Sequence, residues 1–514
     1  MAAMNSKRRR RRNTAQTSQP PGFQLPRQQL VNPYPPMTLL SDDQIESIHQ
    51  ASLTILSEIG IDFLLPEARD MLKKAGAITE TDSERVRFDP DMVEQSIGLA
   101  PTVIDMHARN PQHSFKLGAN YLSFGNVSSA PNASDIIKGR RTGNQQDFRD
   151  FLKLTQYYNI INFSGGYPVE PADVHPSIRH LQCTRDFIQY TDKVFHAYSL
   201  GAQRNRDVIE MTRIARGLSQ AQFDSETSLM TVINSSSPLR FDKVMLEGII
   251  EMSSRNQLVI LTPFPLSGAM APVTLAGAVA QQNAEALAGL VFTQLVKPGA
   301  PFMYGGFTSN VDMRSGSPAF GTPEFMKTAI VGGQLARRYG LPYRSSNVST
   351  ANSVDAQAAY ESVFSLWGAV MGGCNLVKHA AGWMEGGLCA SFEKFVIDID
   401  LLQMVAEFLK PFEVNEDELA LDAIREAGPG GHFFGTAHTQ ARYRDAFYAP
   451  IISDWRNFES WQEAGSPQAV DKANKVYRQV LEDYQPPPLD EAIKEELDEF
   501  VDKRIAEGGV KTDF

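Results

Sequence analysis

Several short apolar runs in this chain end in glycine and aromatic residues. Gly165-Gly166-Tyr167-Pro168, Phe264, Gly305-Gly306-Phe307 and Trp383-Met384-Glu385 all occupy such positions. Ring faces attract a cation without needing a hydrogen bond, so a set of this kind suits a quaternary ammonium ligand. Glycine lets a bulky ligand approach the backbone. Phe433 and Phe434 add aromatics on a later loop. Charged and polar residues follow the same runs: His196, Tyr198, Asp312, Arg314, Asp355, His379 and Glu385. Zinc chemistry is not expected. His175 and His180 are five residues apart and His432 and His438 six, neither an i, i+4 pair, and HExxH is absent. A Walker A sequence and a nucleophile elbow are also missing.

The elements that must position these residues recur in order. Val259-Ile260-Leu261 has the continuous apolar character of a strand buried on both faces. Pro263, Pro265 and Gly268 then impose a loop, and Thr274 to Val296 has helical spacing. The same unit is predicted around strands Tyr121–Phe124, Ile160–Ser164, Lys193–Tyr198, Leu229–Ile233, Leu258–Leu261, Phe302–Tyr304, Tyr343–Ser345 and Leu376–Lys378. Helices centre near Phe148, Cys183, Ile209, Leu246, Ala284, Ala329 and Phe364, and a last one runs from Phe392 to Phe408. Eight strand–helix units, with no GxGxxG after a strand, favour a (β/α)8 TIM barrel over a doubly wound open sheet. The expected organisation is a disordered basic tail over 1–36, a helical segment over 37–115, the barrel over 116–410 and a C-terminal helical extension over 411–514. A barrel carries its chemistry at the C-terminal ends of its strands, where the aromatic set falls.

Composition narrows the function. A net charge of −11 argues against general nucleic-acid binding. Cys183, Cys374 and Cys389 form no CxxC pair and no disulfide framework, which fits a reducing, cytoplasmic setting. The most apolar helix, near Leu275 to Phe292, carries Gln281, Gln282, Asn283 and Glu285, so no membrane span is expected. The basic run Lys7 to Arg12 is followed by polar, proline-bearing sequence and reads as a solvated tail rather than an export signal.

Four separated motifs carry a family resemblance. They are Pro265 to Glu285, Asp355-Ala-Gln-Ala-Ala-Tyr-Glu361, Lys378-His-Ala-Ala-Gly-Trp-Met-Glu-Gly-Gly387 and Gly428-Pro-Gly-Gly-His432. Together they resemble the trimethylamine methyltransferase family over nearly the whole chain after about residue 37. The resemblance implies a (β/α)8 barrel. It also implies methyl transfer from a methylated amine to the cobalt of cobalamin, a corrinoid carried by a separate protein. Members that use trimethylamine contain pyrrolysine in the region that corresponds to the loop after the seventh strand. Here Arg344 to Asp355 holds only ordinary residues. The resemblance therefore points to the pyrrolysine-free branch, with glycine betaine as methyl donor. The alternatives are another methylated amine (proline betaine, carnitine, trimethylamine) or a non-catalytic betaine-binding barrel.

On this reading Tyr167, Phe264, Phe307 and Trp383 surround the cation. Arg314, His379 and Arg344, in that order, are the candidates to hold a carboxylate. Asp355 and Glu385 are placed to offset the ammonium, and with His379 they form the expected catalytic set. Gly430, Gly431 and His432 are expected to face the corrinoid protein. A homo-oligomer is expected, as for many barrels of this size.

Overall fold

The computed structural model describes residues 24–512, and the run Lys7 to Arg12 lies outside the described residues. Eight parallel strands form the centre: β1 Tyr121–Asn126, β2 Ile161–Ser164, β3 Val194–Phe195, β4 Met230–Ile233, β5 Leu258–Leu261, β6 Phe302–Gly305, β7 Tyr343–Ser346 and β8 Leu376–Ala381. They are hydrogen-bonded in the order β3-β2-β1-β8-β7-β6-β5-β4. A bridge between His196 and Met230 closes the seam between β3 and β4. At the same seam the Val232 amide donates to His196 Nε2 at 2.8 Å. A helix follows each strand: α1 Gln145–Tyr157, α2 Arg179–Tyr190, α3 Ala202–Ala215, α4 Lys243–Ser254, α5 Leu275–Val296, α6 Pro323–Tyr339, α7 Ala356–Met371 and α8 Phe392–Phe408. The expected TIM barrel is the architecture this chain adopts.

Side-chain alternation decides which end of the barrel is chemical. Phe163, Val194, Met230, Leu258, Ile260, Met303 and Leu376 point inward and form a buried apolar layer. A hairpin of Val103–Met106 and Phe115–Gly118 closes this layer from the strand N-termini with Ile104, Met106, Phe115 and Leu117. In register with Leu376, the neighbouring strands carry Arg344 and Ser123, and Lys378 lies two residues further along β8.

The long helix α5 is apolar around its circumference, so it must be covered on its outer side too. The N-terminal helices Asp42–Thr54 and Pro90–Leu99 do this. Ser41 and Gln44 start the first of them with a capping box. The segment 37–115 contains short strands beside its helices. Ile61–Phe63, Ile78–Thr79 and Arg85–Arg87 form a small sheet with Arg240–Phe241. Strands of two or three residues show no readable alternation, so sequence pattern misses them. Residues 24–36, expected to belong to the tail, are also structured. Leu30–Val31 pairs antiparallel with Leu122 and Tyr121, and the Leu25 amide donates to Gln403 Oε1 at 2.7 Å.

Beyond α8, helix Ala469–Asp483 packs on α8, where Tyr477 stacks on Phe392 at 5.1 Å. Helix Glu491–Ala506 packs on α2 and α3, and Arg504 reaches Asp207 at 2.9 Å. Among the described residues no helix is long and apolar enough to cross a membrane.

Candidate active site at the strand C-termini

Three of the four predicted aromatics come together above β5, β6 and β8. Phe264 and Phe307 lie 5.0 Å apart, and Phe307 and Trp383 meet edge-on at 6.4 Å. Phe320 completes the cluster, 5.4 Å from Phe307 and 5.3 Å from Trp383. It follows the short strand Pro318–Ala319 that pairs with Ser309–Val311. No local pattern singles it out, because only the fold of that loop brings it over the barrel. Trp383 is held from beneath by Gly387. With φ 101° this residue is left-handed, and a Cβ on it would lie 2.8 Å from the indole. Tyr167 is placed elsewhere. It packs with Tyr198 at 4.3 Å, Phe148 and Phe187 on the β2–β3 side, and among the described residues no direct ring contact joins it to the Phe307 cluster.

A second group of residues lies in the barrel interior beside this cluster. Arg344, on β7, is 2% exposed, and its guanidinium sits over the Phe307 ring at 5.0 Å. Lys378, on β8, is two residues above the inward Leu376 and one above the outward-packed Val377. His196 lies on the β3–β4 seam. His379 adopts φ 58°, a strained conformation for a non-glycine residue, and stacks on Trp383 at 5.4 Å. Its Nδ1 lies 3.2 Å from Ser346 Oγ. Burial, reinforced by the Lys378 and Arg344 charges, holds both imidazoles well below their ordinary range, so both are neutral at pH 7. Burial also lowers Lys378 far below the usual lysine range, with Arg344 adding to it. Arg344 comes down to about 10, mainly through burial, and still carries its charge at neutral pH.

The predicted acids have partners of their own. Asp355 is exposed and caps α7 by accepting from the amides of Gln357 and Ala358. Glu385 pairs with Arg140 at 2.9 Å. Arg314 lies in the exposed turn after Ser309–Val311, where its amide bonds to Asp312. Arg314 is outside, His379 is uncharged, and Arg344 is the inward cation.

Buried carboxyl groups on the helices tie the loops above the strands. Glu285 of α5 is fully buried and accepts from Ser235 Oγ, from Ser237 Oγ at 2.6 Å, from the Leu239 amide at 2.9 Å and from Gln281 Nε2 at 2.9 Å. The loop after β4 is thus pinned to α5. Gln282 of the same helix accepts from Thr308 Oγ1 at 2.6 Å and holds the loop after β6. Glu361 of α7 accepts from Ser349 Oγ and the Thr350 amide, both at 2.8 Å, and holds the loop after β7. Two of the sequence motifs, Pro265 to Glu285 and Asp355 to Glu361, are in large part this loop-holding apparatus.

Gly430, Gly431 and His432 lie on an exposed segment beyond α8. The hydrogen bonds and ring contacts there stay local: Gly431 N donates to Gly428 O, and His432 packs near Phe434 at 6.2 Å.

A family model for trimethylamine methyltransferase (MTTB) matches residues 5–509. The chain belongs to the trimethylamine methyltransferase family. As a member of it, the protein is a methyltransferase. It is 34% identical over 476 residues to the glycine betaine methyltransferase of Desulfitobacterium hafniense strain Y51, covering 92% of this chain and 98% of that one. It is 27% identical to the trimethylamine methyltransferase MttB of D. hafniense strain DSM 10664 / DCB-2, covering 91% of this chain and 94% of the relative. Among solved structures, the Methanosarcina barkeri monomethylamine methyltransferase MtmB superposes with a TM-score of 0.52 at 12% identity, over 88% of this chain and 90% of that one. That likeness confirms the barrel fold of the family member described here.

Proposed function

We propose that this methyltransferase takes a methyl group from a quaternary amine, glycine betaine, and delivers it to the corrinoid of a separate protein. The observation that supports this most is the aromatic cluster of Phe264, Phe307, Phe320 and Trp383, with the predicted acids withdrawn from it. A cation placed there is met by ring faces rather than by a carboxylate. The similarity to a glycine betaine methyltransferase supports the same donor.

The chemistry needs little more. A quaternary nitrogen leaves as a neutral tertiary amine when its methyl is displaced, keeping the electron pair of the broken C–N bond. Trimethylamine would have to leave as an amide anion and needs prior activation. The segment Arg344 to Asp355 consists of ordinary residues. The reduced corrinoid, a second substrate, supplies the nucleophile. The protein's part is to strip water from the ammonium, hold one methyl toward the open end of the barrel and keep the site dry. Neutral His379, stacked on Trp383, keeps that ring in place without adding a repelling charge.

The test is a donor panel with reduced corrinoid protein: glycine betaine, choline, carnitine, proline betaine and trimethylamine. Demethylation of glycine betaine is expected, with none of trimethylamine. Turnover of trimethylamine alone would overturn the assignment.

A further inference from the structure

The barrel interior beside the aromatic cluster holds donors that have no acceptor. Arg344 Nε and Nη1 are buried and make no hydrogen bond. Lys378, 5% exposed, has no side-chain hydrogen bond or ion pair among the described residues. His196 adds a third case. Its Nε2 accepts from the Val232 amide at 2.8 Å, so the proton of the neutral ring resides on Nδ1, which is buried without a partner. The charges that act on Lys378, His196 and His379 are one another's and that of Arg344, and the groups acting on Arg344 are Cys374 and Tyr343. No carboxylate among the described residues is one of the charges that act on the set. Buried polar groups are almost always paired, and a guanidinium without an anion is among the costliest exceptions. Three inward donors converging without an acceptor therefore define a place for an anion from outside.

We propose that Arg344, with Lys378 and His196, is the carboxylate subsite of the methyl donor, so the substrate class is a short betaine carrying both charges. This rests on the quaternary-amine reading above and deepens it. The guanidinium lies over the Phe307 face. The carboxylate subsite thus borders the aromatic cluster at Phe307. Choline and tetramethylammonium leave the three donors unmatched.

Calorimetric binding to the full chain tests this with three probes: glycine betaine, tetramethylammonium (cation only) and tert-butylacetate (the same shape with an uncharged quaternary carbon). In the unaltered protein tert-butylacetate is expected to compete with glycine betaine. Arg344→Met is expected to weaken both carboxylate probes at least about tenfold, as for loss of a charge-assisted hydrogen bond. Tetramethylammonium affinity is expected to stay unchanged. Lys378→Met is expected to act in the same direction. Absence of tert-butylacetate binding to the unaltered protein would overturn the proposal, and needs no variant. So would an equal loss of tetramethylammonium binding in Arg344→Met. If tert-butylacetate binds and neither ammonium probe does, the carboxylate subsite stands and the quaternary-amine reading fails.

Discussion

Glu285→Ala is expected to destabilise the protein by about 3–5 kcal/mol and to abolish methyl transfer. Four donors converge on this one buried carboxyl group, three of them from the loop after β4 or its start. Each donor stranded in a dry site costs roughly 1–3 kcal/mol, and the residual space adds a cavity term. The loop carries Asn234, whose Nδ2 donates to Thr262 O, so its release loosens β4 and β5 at the catalytic end. Glu285→Gln keeps the shape and part of the acceptor capacity and is expected to lose less than half as much. Chemical denaturation measures the stability change. A loss below about 1 kcal/mol for Glu285→Ala would mean that the loop does not depend on this group.

Phe307→Leu has the second largest expected effect. Phe307 touches Phe264, Phe320, Trp383 and His379, and carries the Arg344 guanidinium on its face. Leucine retains apolar volume but has no ring quadrupole. A desolvated cation–π contact is worth about 2 kcal/mol, so glycine betaine affinity is expected to fall roughly thirtyfold. Phe307→Tyr is expected to recover most of it. Binding of tert-butylacetate, which carries no ammonium, is expected to change far less. Equal weakening of both ligands would show that Phe307 only fills space.

The barrel was legible in the sequence because each of its eight strands is a short apolar run and each following helix keeps helical spacing. Leu258–Leu261 and α5 show the unit most plainly. The site was legible only in part. Phe264, Phe307 and Trp383 follow strands directly, so strand order brings them to one end of the barrel, where they cluster. Phe320 was not legible, because it arrives by a loop that folds back. Asp355 illustrates an ambiguity of type: a helix cap and a catalytic acid are the same residue in sequence, and only the amides of Gln357 and Ala358 separate them. Lys378 did leave a signal. A lysine in the inward register of a fully buried strand requires a reason, and the alternation of Leu376, Val377 and Lys378 shows that register. The conspicuous Gln281-Gln282-Asn283 and Glu285 read as a structural helix face. In the structure Gln282 and Glu285 hold the loops after β6 and β4, Gln281 bonds to Glu285, and Asn283 donates to Ser52 and Tyr339.

The central claim is that a methyl group leaves glycine betaine for the corrinoid of another protein. Incubating this protein with reduced corrinoid protein and methyl-deuterated glycine betaine tests it directly. The expected result is deuterated methylcobalamin and dimethylglycine in equal amounts, with no product when the chain is omitted. Unlabelled or absent methylcobalamin, with glycine betaine recovered intact, would contradict it.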